Sequence, residues 1–475
     1  MKKSIFSILM ALAFVILLAS CESEKEPHVH VFSDWQYTEA TYQSNGKGIR
    51  TCQCGEKIEI ESKMLSDEGS INNTMKSYID LLIEKTDGYI PSWNKESFKG
   101  KWNYIDGVFL NAIVNLYRKT NDNKYKEFFL NYIDYYINED GKFIDPRTNE
   151  ELFTTTELDS ICESKILFDA YEFTNDKRYL EAIEYTNNVL LSQNKVVGSE
   201  YNYEHKKSYP NQIWLDGMYM YVPFYARYGI LSKDSSVFSN ITGAYKYIRQ
   251  NMFNEEYKLY YHGFDSTKKI FWSDDNTGCS KSFWSRSQGW YIASLADVLE
   301  YFPDGNDKDY LISLLKEAID GIIKYKDPLT NMLYQITNMD RDYKVLVPKT
   351  YLQSLSNKRG FDGVKYIDTE IDNYVETSSS SLIAYSIMKS SRMGYINESY
   401  YEIGKKMFEG TYANSLKNNN GNIELGNICI TAGLGPDNKR YRDGTHEYYL
   451  AEPVGTNDAK GVGPFILAYL EYINR

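Results

Sequence analysis

A repeated alternation of two kinds of helix places the strongest constraint on the fold of this chain. The segment "YRKTNDNKY" at 117–125 recurs as "YEFTNDKRY" at 171–179, and "YFPDGNDKDY" at 301–310 is a looser copy. Each copy follows an apolar helical pattern and precedes an amphipathic one. The period of roughly fifty residues is typical of a helical array in which neighbouring hairpins bury one another's apolar faces.

The pattern predicts an inner and an outer class of helix. Apolar helices, expected inside, fall near 105–118, 157–173, 213–228, 286–302, 379–391 and 461–474. More charged helices, expected outside, fall near 71–86, 123–138, 177–193, 236–252, 307–325 and 398–412. Residues 70–475 are therefore predicted to form an all-α domain, an (α/α)6 barrel in which six helical hairpins close into a ring.

The first residues predict export and a lipid anchor. "MKKSIFSILMALAFVILLASC" has a basic start, an apolar run and small residues directly before Cys21. This pattern predicts a bacterial lipoprotein signal peptide over 1–20, lipid attachment to Cys21 and a charged tether over 21–27. An ordinary secretory signal with an incidental cysteine is the alternative. The mature protein is thus expected to be held to a bacterial membrane by its lipid alone, on the periplasmic or the outer side.

Residues 28–65 predict a small β module. Polar and apolar residues alternate around Asn45-Gly46, as in a β-hairpin, and the stretch resembles short Trp/Cys-rich repeats of bacterial surface proteins. Four residues invite a zinc interpretation: His28, His30, Cys52 and Cys54. Because Cys-x-Cys is a poor chelate spacing, no metal is predicted and the question of zinc stays open.

Composition narrows the class of ligand. The formal net charge of −12, with no basic stripe, argues against a nucleic-acid partner. It does not exclude an anionic small substrate, because binding depends on local charge. The 44 tyrosines suit sugar-binding surfaces, although a tyrosine-rich core would have the same composition.

Polar or aromatic motifs open all the predicted inner helices. Since parallel inner helices begin at the same end of a ring, these motifs should line one mouth, and their N-termini would favour an anion there. The predicted ligand is an acidic sugar, and the sequence predicts no cofactor. The motifs are "WNYIDG" (102–107), "TTELDS" (155–160), "QIWLDG" (212–217), "FWSRSQGWY" (283–291), "YVETSSS" (374–380) and "NDAKGVGPF" (457–465).

Several of these motifs, in order, resemble glycoside hydrolase family 105, the unsaturated rhamnogalacturonyl hydrolases, and the neighbouring family 88 of unsaturated glucuronyl hydrolases. The resemblance covers residues 75 to 475 and implies an (α/α)6 barrel. It rests on "LDSICESKILFDAYEFTND", "YPNQIWLDGMYMYVPFYARYG", "LYYHGFD", "FWSRSQGWY" and "AGLGPDNKRYRDGTHEYYLAEPVGTNDAKGVGPFILA".

The resemblance implies a specific reaction. Such enzymes hydrate the C4=C5 enol ether of the unsaturated uronic acid that lyases leave at a non-reducing end. The aspartate of "WLDG", Asp216, matches the catalytic acid/base. The positions that match substrate-binding residues are Asp159, Lys206, Trp214, His262, Arg286 and Trp290, with Tyr104 resting on "WNYIDG" alone. Among them, Trp214 is expected to stack on the sugar.

Three alternatives remain open. A family 88 enzyme acting on glycosaminoglycan fragments would need groups that bind sulfate, for which "ETSSSS" (376–381) is the only hint. An inverting glycosidase would need a second catalytic carboxylate, a role that Asp159 could fill. A non-catalytic, lipid-anchored glycan-binding protein would have no use for Asp216.

Overall fold

The computed structural model describes residues 29–85, 102–153, 157–356 and 367–475. The predicted signal peptide, Cys21 and tether lie outside these residues, as does His28. Within the described ranges, no helix is long and apolar enough to cross a membrane.

The described chain is mostly helical, and a helix occurs at every predicted place. Two short helices, α11 and α14, were not predicted. The helices are α1 (Glu68–Glu84), α2 (Tyr104–Thr120), α3 (Asn123–Tyr136), α4 (Leu158–Glu163), α5 (Leu167–Thr174), α6 (Lys177–Ser192), α7 (Gly217–Ser232), α8 (Ser236–Met252), α9 (Ser285–Val298), α10 (Asn306–Ile322), α11 (Lys349–Ser356), α12 (Thr377–Arg392), α13 (Tyr400–Ser415), α14 (His446–Ala451) and α15 (Ala459–Tyr472).

Helix contacts run in a closed cycle. In turn, α2 contacts α4, α4 contacts α7, α7 contacts α9, α9 contacts α12, α12 contacts α15, and α15 returns to α2. Every residue of α9 is buried, whereas α10 buries only one apolar stripe. At the closing contact, a Cβ on Gly463 would lie 2.6 Å from the carbonyl oxygen of Val108, so glycine lets the backbones of α15 and α2 approach.

The repeated "TND" motif has a structural cause. Asn121 and Asn175 end α2 and α5 in the left-handed conformation, with φ of 55° and 57°. The next residues, Asp122 and Asp176, begin α3 and α6 by accepting a hydrogen bond from the backbone N–H two residues on. One asparagine and one aspartate therefore make the tight turn from an inner to an outer helix.

Short antiparallel strand pairs lie in the connections between the helices. Beyond the first sheet, the pairs are β4–β5, β6–β9, β7–β8, β10–β13, β11–β12, β14–β15 and β16–β17. The strands are β4 (Ile144–Asp145), β5 (Glu150–Glu151), β6 (Gln212–Trp214), β7 (Phe253–Asn254), β8 (Leu259–Tyr260), β9 (Gly263–Asp265), β10 (Leu333–Tyr334), β11 (Lys344–Val347), β12 (Thr369–Asp372), β13 (Val375–Glu376), β14 (Leu416–Asn419), β15 (Asn422–Leu425), β16 (Ile428–Cys429) and β17 (Val454–Gly455).

The N-terminal module is a three-stranded sheet in the order β1 (Gln36–Thr38), β2 (Gly46–Thr51) and β3 (Lys57–Ser62). Its tight turn lies between β2 and β3, and the predicted turn at Asn45-Gly46 only closes the longer β1–β2 loop. The sheet is bound to the helical domain: Trp35 Nε1 and Arg50 Nη1 both donate to Asp342 Oδ2, at 2.8 and 3.0 Å.

Candidate active site

Asp216 lies where strand β6 turns into helix α7. The backbone N–H of Leu215 donates to the carbonyl of His262 at 2.8 Å, and Trp214 pairs with Gly263 across β6 and β9. This pairing brings Asp216 Oδ2 within 3.1 Å of His262 Nε2. Asp216 is the N-cap residue, but its side chain makes no capping hydrogen bond. Its carboxyl group is therefore left for another task.

His262 is fully buried, and its orientation is fixed from the other side of the ring. Nδ1 lies 2.6 Å from the hydroxyl of Tyr449 on α14. The ring also packs against Trp284, with 4.7 Å between centroids. Nε2 and the facing Asp216 Oδ2 are close, but their angles are not those of a hydrogen bond, and both are otherwise without a partner. The imidazole is thus held facing a buried carboxylate oxygen of Asp216.

Asp159, on the first turn of α4, lies next to basic side chains. Lys206 Nζ lies 2.5 Å from Oδ2, and His205 Nε2 lies 3.2 Å from Oδ1. Burial by itself would raise the pKa of Asp159, but Lys206 and then His205 outweigh it and hold that pKa well below its ordinary value. Burial would likewise lower the pKa of Lys206, which Asp159 and Glu157 raise instead. Asp159 and Lys206 are therefore a charged pair at neutral pH.

The two aspartates are joined through aromatic rings. His205, which contacts Asp159, stacks on Trp214 with 4.7 Å between centroids and an angle of 14°. Gly217, directly after Asp216, permits this packing, because a Cβ there would meet His205 Nδ1 at 3.2 Å. Residues 205–217 thus form one compact unit that contributes to the surroundings of both Asp159 and Asp216.

Trp214 lies between two aromatic rings. His205 and Tyr209 both stack on its indole at 4.7 Å, and only 6% of the residue is exposed. Its Nε1 donates to Gln212 Oε1 at 3.2 Å. This packing is observed, and stacking of Trp214 on the sugar stays a prediction.

Trp290 is buried in the helical domain. It is 1% exposed, belongs to the main hydrophobic core and packs against Tyr219 at 4.6 Å. Spacing on the helix correctly put Trp290 one turn from Arg286, but the surrounding helices cover it. Its packing role is observed, and sugar binding by this residue stays a prediction.

Arg286, on the first turn of α9, is a buried cation. Its Nη1 donates to the carbonyl of Cys429 and, at 3.4 Å, to Ser378 Oγ. No ion pair joins it to a carboxylate in the part of the chain that the structure describes. Burial alone would lower the pKa of the guanidinium, but nearby Cys429 and Glu376 raise it. A buried charge without an anionic partner is suited to an incoming carboxylate.

The hydroxyl of Tyr104 is affected by the charges of Asp159, Lys206 and Arg286. Tyr104 is half-buried at the start of α2, and burial raises the pKa of its hydroxyl, with the Asp159 charge adding to the rise. Arg286 and Lys206 act on it in the opposite direction. All four residues therefore share one electrostatic neighbourhood at the mouth.

Two supporting residues were missed by the sequence reasoning. Tyr449, in "HEYYLAEP", positions His262 across 187 residues of chain. Glu376, fully buried, accepts from Ser378 Oγ and from the backbone N–H of Cys429, and so fixes the carbonyl that binds Arg286. "YVETSSS" was recognised as part of the mouth, but nothing in it singled out the glutamate.

A separate polar cavity of about 350 Å³ lies at the other end of the inner helices. It contains none of the predicted site residues. It is lined by Arg118, Lys165, Asp169, Arg227, Asp297, Lys389 and their neighbours.

The chain is similar to known glycoside hydrolases. The family model described as Glycosyl Hydrolase Family 88 matches residues 82–347 and 338–475. A solved glycoside hydrolase of family 105 from C. acetobutylicum ATCC 824 has 32% identity and a TM-score of 0.68, over 79% of this chain and 94% of that one. Protein Atu3128 of Agrobacterium fabrum (strain C58 / ATCC 33970) is 30% identical over 218 residues, 45% of this chain and 81% of that protein.

A more distant structure shares the fold alone. The unsaturated glucuronyl hydrolase of Bacillus sp. GL1, responsible for glycosaminoglycan degradation, has 12% identity and a TM-score of 0.52, over 79% of this chain and 87% of that one.

Proposed function

This chain belongs to Glycosyl Hydrolase Family 88 and is a glycoside hydrolase, and we propose that it removes a 4,5-unsaturated uronic acid from the non-reducing end of lyase-generated acidic oligosaccharides. Asp216 protonates C4 of the enol ether, and positive charge develops at C5. The same carboxylate then accepts a proton from the water that adds to C5. The resulting hemiketal opens and releases the remaining sugar. The reaction needs no cofactor, because its reactants besides the sugar are a proton and water.

The contrast between Asp216 and Asp159 carries this proposal. Asp159 is held as an ion by Lys206, and a carboxylate with a strongly lowered pKa is a weak base. Asp216 faces a histidine and has no ion pair with lysine or arginine among the described residues. An inverting glycosidase requires two carboxyls that exchange protons. One such group is enough for hydration of a double bond, since it serves as acid and then as base.

Substrate positioning follows from the charges. We assign Arg286 to the uronate carboxylate, because it is a buried cation without a carboxylate partner. His262 is assigned to Asp216, which it faces at 3.1 Å, with Tyr449 as its positioning residue.

The closed cycle of inner helices supports an (α/α)6 barrel, with the β sheet as an accessory module.

The serines behind the glycosaminoglycan alternative are buried. Ser378, Ser379 and Ser380 are fully buried, and their hydroxyls donate to side-chain or backbone oxygens of Glu376. Ser381 is fully buried as well, and its Oγ has no hydrogen-bond partner among the described residues. Because all four side chains are buried, this segment gives no support to sulfate binding.

Incubation with a panel of lyase-generated oligosaccharides tests the function. The conjugated C4=C5–carboxylate absorbs in the ultraviolet, and we expect that absorbance to disappear with at least one uronic-acid substrate. The saturated counterparts serve as controls and should not be cleaved. Cleavage of saturated oligosaccharides, with unsaturated ends left intact, would contradict the proposal.

We also propose that the protein is a membrane-anchored lipoprotein, on the strength of the residues that precede Cys21. Mass spectrometry of the membrane-fraction protein should find a mature chain beginning at lipidated Cys21. A soluble protein with an unmodified N-terminus elsewhere would refute the anchor.

A further inference from the structure

The β module brings three metal-ligating residues together by pairing segments that are distant in sequence. Phe32 forms an antiparallel bridge with Cys52, and the backbone N–H of Ser33 donates to the carbonyl of Thr51 at 3.0 Å. This short pairing lays the segment before β1 alongside the end of β2. His30 therefore lies beside the β2–β3 turn.

That turn directs both cysteines to the same place. The N–H of Gly55 donates to the carbonyl of Cys52 at 2.9 Å, and the N–H of Cys52 donates to the carbonyl of Glu56 at 2.7 Å. Gly55 has a φ of +94°, which glycine tolerates best. The chain reverses within these few residues, so Cys54 Sγ comes within 3.3 Å of His30 Nδ1.

We propose that His30 Nδ1, Cys52 Sγ and Cys54 Sγ bind a zinc ion. These three atoms all lie within 4.8 Å of one another. Tetrahedral zinc, with bonds of about 2.0–2.3 Å, needs roughly 3.5–3.8 Å between ligand atoms. Closing the cluster around an ion therefore takes movements of about 1 Å or less. Both cysteines are thiols, the one buried and the other exposed, so an ion could enter from solvent.

The donor set is specific for this type of metal. Two thiolates and an imidazole are soft to intermediate ligands that select zinc over calcium or magnesium. Cys-x-Cys spacing by itself argues against a metal site, since two cysteines so close in sequence form a strained chelate ring with one ion. The structure changes that judgement because His30 supplies the third ligand from across the sheet.

The position of the site indicates a structural role. A sheet of this size buries few side chains and gains much from a cross-link. Next to the cluster, Arg50 lies over the rings of Phe32 and Trp35, at 5.2 and 4.5 Å. Arg50 and Trp35 in turn bind Asp342 of the helical domain. The zinc ion would therefore hold together one of the surfaces by which the module contacts that domain; Tyr42 and Glu39 contact it elsewhere.

Metal content of the intact protein tests the proposal. We expect about one zinc per chain after purification without chelators, and a thiolate-to-cobalt charge-transfer band after exchange with Co²⁺. Cys54→Ser, which alters an exposed residue, should fold normally and lose at least tenfold in zinc affinity, as should His30→Gln. Cys279→Ser is the matched control, because Cys279 lies elsewhere and should leave binding unchanged.

Two results would overturn the site: wild type that binds no zinc, or Cys54→Ser that binds it as tightly as wild type. Limited proteolysis tests the structural role. Removal of zinc should speed cleavage within residues 29–65 several-fold in the wild type and not in Cys54→Ser, while turnover stays the same in both. Equal protease resistance of the zinc-loaded and zinc-free wild type would refute that role.

Discussion

Asp159 lies within ion-pair distance of a lysine and a histidine, whereas Asp216, among the described residues, lies within that distance of a histidine only. Two unit charges about 4 Å apart attract by about 4 kcal/mol at an effective dielectric constant near 20, before desolvation, and Lys206 lies closer than that to Asp159. The lysine therefore favours the ionised form of Asp159 over any proton transfer. Asp216 has no ion pair with lysine or arginine among the described residues. The two aspartates, on neighbouring helices, can therefore have different roles.

Arg286 gives the first residue-scale prediction. Arg286→Gln keeps a hydrogen-bond donor near the carbonyl of Cys429 but removes the charge that we assign to the uronate. KM should rise by an amount equivalent to roughly 2–4 kcal/mol, because a buried charged hydrogen bond is lost. Steady-state kinetics with free-acid substrate measures this change.

The methyl ester of the same substrate is the internal control. Wild type should strongly prefer the free acid, and Arg286→Gln should lose most of that preference. Equal turnover of ester and acid by the wild type would show that no cation binds the uronate carboxylate.

The limits of the sequence at this scale have a physical origin. Asp159, Asp216 and Arg286 could be singled out because polar groups that open apolar helices are unusual. Lys206 and His262 lie on adjoining connections, and their predicted roles came from the family resemblance. Tyr449 could not, since its contact with His262 spans 187 residues and a tyrosine in a tyrosine-rich chain carries no signal. Trp290 illustrates another limit: helical spacing predicts the face of a helix but not which neighbours cover it, so sugar binding by Trp290 stays a prediction.

At the scale of elements, helices could be predicted and strands largely could not. The apolar periodicity and the capping residues of "TND" are local signals, so helix positions followed from them. Most strands outside the module are two to four residues long, too short for an alternating pattern to register. One of these, β6, nevertheless determines where Asp216 faces His262.

A buried ion cluster ties three helices at the far end from the active site. Asp169 of α5 binds Arg118 of α2 and Arg227 of α7, each at 2.6 Å, and is 4% exposed. Asp169→Asn should destabilise the protein at neutral pH by about 3–5 kcal/mol, since it leaves the buried Arg227 without its carboxylate, while Arg118 keeps only Glu172 among the described residues. Chemical denaturation of both proteins measures the difference.

The pH dependence of that difference has a definite sign. Burial would raise the pKa of Asp169, but Arg227 and Arg118 outweigh it and lower the pKa in the folded state. The stabilisation is therefore present above the unfolded pKa, about 3.9, and is lost as pH falls through the lower folded value. Asp80→Asn removes an exposed ion pair with Lys124 and should cost at most about 1 kcal/mol. Equal losses from the two variants would contradict the account.

At the scale of the molecule, the closed cycle of helices separates tasks between its ends. The N-terminal turns of α2, α4, α7 and α9 bring the site residues to one mouth, while the opposite end holds the ion cluster around Asp169. The N-terminal sheet contacts the helical domain through Asp342, on the connection between α10 and α11. Catalysis, stability and attachment can therefore be tested with different variants.

Turnover in deuterated water tests the central claim most directly. If Asp216 delivers a solvent-exchanged proton to C4, the wild-type product should carry deuterium at C4, as nuclear magnetic resonance or mass spectrometry would show. Asp216→Asn preserves the shape of the residue and should fold, but its kcat should fall by at least roughly 10²–10⁴-fold, because the amide cannot transfer the proton. A product without deuterium at C4, or full activity in Asp216→Asn, would contradict the mechanism and transfer the catalytic role to Asp159.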